Sequence, residues 1–182
     1  MSAHALSPTL ATAERWAKQL GDKVEVIEGK KPDGTPVSVL KVTRGSLEVV
    51  VIDRGNGLVE IDCPQDLAKE AKDRLRALAP ELQQATLLTF IDRLLRNPRA
   101  GYAFQPLGIK ALHDVDRWVF TQVVKVSDDD PGSFQRFADA LQEVVTGFMS
   151  AAMVIAAVMQ RPPPGAASGS STASPPPTGM YR

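Results

Sequence analysis

The chain has 182 residues, with 21 Lys plus Arg balanced by 21 Asp plus Glu, and is 43% hydrophobic and 23% charged. That length suits one domain with its own core, and the composition is that of a globular protein. Zero formal net charge argues against general nucleic-acid binding, which calls for a strongly basic surface, and the lone Cys63 rules out an intrachain disulfide and fits a reducing, cytoplasmic setting.

The opening MSAHALSPTL has no basic start followed by an apolar run, so no secretory signal is expected. Residues 1–7 read as a leader. Ser7-Pro8 is a helix start, a hydroxyl cap followed by proline at the first helical position. Leu10, Ala13, Trp16, Ala17 and Leu20 follow at helical spacing until Gly21.

The period then falls from about 3.6 to about 2. Val24–Glu28 is the first expected strand, and Lys31-Pro32-Asp33-Gly34 the turn after it. Val37–Thr43 is the second, with Val37, Val39 and Lys41 on one face and Leu40 and Val42 on the other. Arg44-Gly45-Ser46 and Gly55-Asn56-Gly57 lead into Leu47–Asp53 and Leu58–Asp62. Short glycine turns between neighbouring strands predict an antiparallel meander.

Helical spacing returns after Pro64 with Leu67, Ala71, Leu75 and Leu78. Pro80 starts or kinks a second segment, whose apolar face is Leu82, Leu87, Ile91, Leu94 and Leu95, up to Asn97-Pro98. A short strand at Tyr102–Gln105 and a long one at His113–Val126 follow. Trp118, Phe120, Val124 and Val126 take one face of the long strand, and Val115, Val119 and Val123 the other.

Asp128-Asp129-Asp130-Pro131-Gly132 places negative charge at the start of the last helix, where it is favourable. From there Phe134, Phe137, Leu141, Val145, Phe148, Ala152, Ile155 and Met159 form a seam in steps of three and four. No charge occurs from Val144 to Met159, so the opposite face is apolar too. A helix of about 30 residues is about 45 Å long, more than the ~20 Å of a typical strand. Its second half is therefore expected to reach past the sheet. The uncharged run is shorter than the ~20 residues of a membrane span, and none is expected. Residues 161–182 are Pro-, Ser- and Gly-rich and read as a disordered tail.

The order α-ββββ-αα-ββ-α resembles the type III secretion chaperone-like fold, and within it the uncharacterised archaeal proteins of that class. Trp16, the run FIDRLLRNPRAGYAFQP at Phe90–Pro106, DVDRWVFTQVV at Asp114–Val124, and FADALQEV with AAMVIAAVMQ between Phe137 and Gln160 carry the resemblance. It covers residues 8–160. It implies a small α/β sandwich that dimerises and binds an extended or partly unfolded segment of another protein, with no catalytic residues. This chain is neutral where secretion chaperones are usually acidic, and its proline-rich tail lies outside their pattern.

No motif points to catalysis, a metal or a cofactor. His4, His113 and Cys63 lack metal-ligand spacing. His113-Asp114-Val115-Asp116 could form an acid–base group with Arg117, but reads better as a polar strand entry. The three aspartates lack the alternating ligands of a calcium loop. Gly55-x-Gly57 and Gly29-Lys30-Lys31 lack the sequence and placement of nucleotide loops. Lys72, Arg74, Arg76, Arg93, Arg96 and Arg99 interleave with Glu70, Asp73, Glu81 and Asp92 as a mixed solvated face. Gly147-x-x-x-Ala151 and Ala152-x-x-x-Ala156 permit close helix–helix approach.

The expectation is thus a single α+β domain: an antiparallel sheet of five or six strands with helices on one side. Its function is expected to be non-enzymatic protein binding as a homodimer, or else service as a structural subunit of an assembly. The expected partner or dimer contact is Val144, Phe148, Met149, Ala152, Met153, Ile155, Ala156 and Met159.

Overall fold

The computed structural model describes residues 6–30 and 34–161. Helix α1 (Pro8–Gln19) begins as its sequence dictates, with the Ser7 hydroxyl accepting from the Leu10 N–H at 3.2 Å. Four strands follow as an antiparallel meander: β1 (Lys23–Lys30), β2 (Pro36–Arg44), β3 (Leu47–Gly55) and β4 (Leu58–Asp66). Helices α2 (Lys69–Arg76) and α3 (Pro80–Leu95) come next, then β5 (Gly101–Gln105), β6 (Arg117–Lys125) and α4 (Ser133–Met159). The sheet has six strands in the order β1-β2-β3-β4-β6-β5, all pairs antiparallel. The expected Lys31-Pro32-Asp33 turn, and the tail beyond Arg161, lie outside the described residues.

Alternation decides the sheet's two faces. Leu40 and Val42, Val49 and Val51, Val59, Ile61 and Cys63, and Trp118, Phe120 and Val124 are buried on one face, beneath the helices. Their neighbours Val39, Val50, Ile52, Glu60, Asp62, Val119 and Val123 point to the other. Trp16 of α1 meets Phe134 and Phe137 of α4 at ring-centroid distances of 5.8 and 5.9 Å, joining the first helix to the last.

Two boundaries differ from expectation for identifiable reasons. Strand β4 runs on through Pro64 to Asp66. Its pairing with β3 ends at Asp62, so the missing proline N–H faces a side with no ladder partner. Strand β6 starts at Arg117, not His113, because Leu112–Asp114 form a 3-10 turn closed by the Ala111 N–H donating to Asp114 Oδ2 at 3.1 Å. Val115 is buried and leaves the strand's alternation.

Helix α4 comes close onto the sheet at Gly147. A Cβ built there would stand 2.5 Å from Cε1 of Phe120, a ring with no exposed surface. The small residue serves helix-to-sheet contact, not the helix–helix contact its spacing suggested. One residue on, Phe148 stacks on Trp118 at 4.7 Å and 5°, and Phe90 of α3 meets the same indole edge-on at 4.9 Å. Gly147→Ala gains about 1 kcal/mol of helix propensity. Overpacking against Phe120 costs about 1–3 kcal/mol and outweighs it, for a net loss of up to about 2 kcal/mol. A lower urea midpoint should show this, and Phe120→Leu in the Gly147→Ala background should recover part of the loss.

Candidate interaction surfaces

The rotation of α4 sorts its apolar residues into inner and outer sets. Phe137, Ala140, Leu141, Val144, Phe148, Ala151 and Val158 are buried in the chain's own core. The inner stripe therefore runs the full helix length, and is turned from the expected seam toward Ala140, Val144, Ala151 and Val158. Val145, Ala152, Ile155 and Met159 pack against it half-buried. Of the expected contact residues, Val144 and Phe148 are thus inside this chain, at 0% and 4% exposure. Gly147 presses the adjoining surface onto the sheet and carries both inward. Met149 and Met153 stand out at 48% and 69%, and Ala156 is exposed beside them.

Helices α2 and α3 flank the second half of α4, which therefore does not stand clear of the fold. Arg74 donates to the Arg161 carbonyl at 2.7 Å and ties down its end. Between α3 and α4 lies a groove of about 380 Å³ lined by Leu82, Ala85, Met153, Val154 and Ala157. Its Thr86 and Thr89 hydroxyls are spent on their own helix, donating to the Leu82 and Ala85 carbonyls at 2.6 and 2.7 Å. An extension of about 370 Å³ continues past Arg93 and Ser150 to Asn97, Gln142 and Glu143. On α3, Leu82, Leu88 and Leu95 are exposed, while Thr86, Phe90 and Leu94 face inward. The expected α3 face had included Leu82 and Leu95. The doublets Leu87-Leu88 and Leu94-Leu95 were the available signal, since adjacent helical residues lie 100° apart and in each of these pairs only the first packs inward. By length and composition α4 is also long and apolar enough to cross a membrane.

The open sheet face is mixed. Val39, Val50, Ile52, Leu58, Val119 and Val123 surround a charged centre at Glu60 and Asp62. Arg54 grips Glu60 through two hydrogen bonds, 2.7 and 2.5 Å, and holds its carboxyl below the usual value. Asp62 accepts from the Thr121 hydroxyl at 2.6 Å, yet burial pushes its carboxyl upward, aided by the charge of Glu60. Beneath this face the Cys63 thiol is pushed up to about 12 by burial and by the Asp62 charge, so it is an unreactive core residue at neutral pH.

The remaining charge motifs are taken up locally. Arg96 pairs with Asp92 at 2.9 Å and Arg76 with Asp73 at 3.3 Å. Lys72 pairs with Asp116. Asp128 binds Arg15, and accepts from the Thr12 hydroxyl at 3.0 Å. Asp130 accepts from the Gly132 N–H at 3.1 Å and pairs with Arg136, which together lower its carboxyl. His113 Nε2 lies 3.6 Å from Asp114, and its buried Nδ1 has no partner. Neither residue, nor Arg117, lines the grooves described above. Among the described residues no three His, Cys, Asp or Glu are placed to hold a metal ion.

The solved structures contain a likeness to this fold. A crystal structure of an uncharacterised protein from Methanothermobacter thermautotrophicus superposes with a TM-score of 0.63. The match covers 82% of this chain and 97% of that one at 13% identity. No family model matches the chain, and no curated protein does. The likeness carries the fold: an antiparallel sheet with its helices.

The two carboxylates of the open face respond to pH with opposite signs. Glu60 contributes stability present above its ordinary value of 4.5 and lost as pH falls through its lowered folded value. The term from Asp62 is present below its ordinary 3.8 and lost as pH rises through its raised folded value. Asp62→Asn keeps an oxygen for Thr121. It should therefore raise the melting temperature at about pH 7 and leave it unchanged at about pH 3. Glu60→Gln should lose about 0.5–1 kcal/mol at neutral pH, since Arg54 is half exposed. Thermal melts of both variants across that range check the signs.

Proposed function

We propose that the chain is a non-enzymatic, chaperone-like protein-binding module that self-associates as a homodimer through the outer side of α4 and the adjoining groove. The observation that carries this reading is the exposure of Met149 and Met153 on a helix whose opposite side is locked in the core. These residues are one helical turn apart, and Ala156 continues their stripe. Methionine is an adaptable contact residue that fills irregular apolar surfaces. Leu82 across the groove extends the uncovered apolar area. Covering about 400 Å² of it per chain would be worth on the order of 10 kcal/mol gross at ~25 cal/mol per Å². Association costs of several kcal/mol leave a favourable balance.

The element order supports placing the chain with the type III secretion chaperone-like class, and a cytoplasmic setting goes with that proposal. A second reading, a structural subunit of a larger assembly, is favoured by the open sheet face. An apolar helix face and a mixed sheet face on one chain allow contact with more than one neighbour. Co-purification from the native host separates these readings, since a subunit brings a fixed set of partners in fixed ratio.

The homodimer has a direct test. Light scattering at tens of micromolar should give twice the 19.6 kDa chain mass. Met149→Asp with Met153→Asp should return it to the single-chain mass with an unchanged circular-dichroism spectrum. A monomeric wild-type protein, or a folded variant that remains dimeric, contradicts the proposal. Flotation of the wild-type protein with lipid vesicles would instead assign the apolar stripe to a membrane.

A further inference from the structure

Strand β6 is longer than the neighbour that covers its outer edge. β5 pairs with it only from Arg117 to Thr121, leaving Gln122–Lys125 without a strand on that side. The hydrogen-bond phase of β6 is fixed by the Val126 N–H, which donates to the Gly57 carbonyl of the β4 side at 2.7 Å. Backbone groups alternate sides in an antiparallel ladder. The N–H and C=O of Val123 and the N–H of Lys125 therefore point to the uncovered edge. The Lys125 carbonyl is taken by the Ser133 hydroxyl at 2.9 Å.

A cavity of about 610 Å³ lies beside this edge, between β6 and the first half of α4. Gln122 lines it and is more than nine-tenths buried. Its Nε2 donates to Glu143 at 3.1 Å, but its Oε1 is buried with no hydrogen-bond partner. An unsatisfied buried acceptor is costly, and a donor in the cavity would relieve it once the Gln122 side chain turns Oε1 toward the slot. The other charges at the slot are largely committed. Glu143 also takes Asn97 at 3.4 Å and Arg99 at 3.7 Å, and Arg136 is held by Asp130.

We propose that this slot receives an extended segment of another protein as an added seventh strand. Val123 and Lys125 supply the main-chain hydrogen bonds. A side chain with an N–H or O–H donor enters the cavity to reach Gln122 Oε1. The opposite sheet edge, β1, is the weaker candidate. It carries Lys23, Glu25, Glu28 and Lys30 along its length, charges of the kind that blunt edge pairing. The proposal shares with the preceding section only the premise of a protein partner and uses a different surface.

The test uses the full chain and an acetylated octapeptide alternating asparagine and valine, with amide hydrogen exchange read residue by residue. The peptide should slow exchange at Val123 and Lys125 by about fivefold or more. Val123→Pro removes the outward N–H without touching the β4 ladder and should abolish that protection. Gln122→Met removes the cavity oxygen but no backbone donor, and should weaken protection by about threefold or more. Protection appearing only at β1 or in the α3–α4 groove overturns the proposal, as does undiminished protection in Gln122→Met. So does slow exchange at both amides before peptide is added. If that slow exchange disappears on dilution, a second copy fills the slot; if it disappears on truncation after Arg161, the chain's own end does. Met149→Asp with Met153→Asp should bind the peptide as the wild type does, so failure of the dimer and failure of the slot read out separately.

Discussion

The close crossing of α4 over β6 at Gly147 sets most of the rest. With no side chain at that position, the helix backbone settles onto the Phe120 ring. The approach fixes the height of the helix above the sheet. It also brings Phe148 flat against Trp118, while Phe90 closes the indole from the α3 side. Once these three rings are packed, rotating α4 would pull a fully buried aromatic out of the core. The helix has one allowed rotation, and that rotation assigns every apolar residue downstream. Val144, Ala151 and Val158 turn in, and Met149 and Met153 turn out.

The same logic divides the sheet. Its inner face is a continuous apolar layer from Leu40 to Trp118, interrupted by Gln122 near the edge. Its outer face keeps water on one side and mixes valine and isoleucine with a gripped Glu60 and a half-buried Asp62. Glu60 and Asp62 are both half-buried there, and that partial burial pushes the Asp62 carboxyl upward while Arg54 holds Glu60 down. Helix surface, open sheet face and short free edge are thus three different surfaces, each left by a specific packing constraint.

Much of this was legible in the sequence because the period changes cleanly. The switch from Trp16-type helical spacing to the alternation of Leu40 and Val42, and back again after the meander, placed the α-helices and strands in their order. The limits of that reading are local. Pro64 is a breaker by rule, yet it sits where the ladder needs no donor. Asp114 closes a turn that alternation alone read as strand. On α4 the apolar residues run right around the helix, so periodicity could not choose its inner face. That choice is made by Gly147 and Phe120, which are 27 positions apart and meet only in the fold. The doublets on α3 failed in the same way, since Leu94 and Leu95 are equally apolar and only packing on Phe90 and the sheet selects between them.

The central claim is that the core holds α4 in one rotation and leaves the methionine stripe for a protein partner, first of all a second copy. The initial rate of methionine oxidation measures this without a substitution. Dilute hydrogen peroxide, read by mass spectrometry across a range of protein concentrations, gives a rate for each sulfur. Oxidation at Met149 and Met153 should be fast in dilute protein and slow progressively as the protein is concentrated. Rates at both residues that stay fast and independent of concentration up to the light-scattering range would contradict the account.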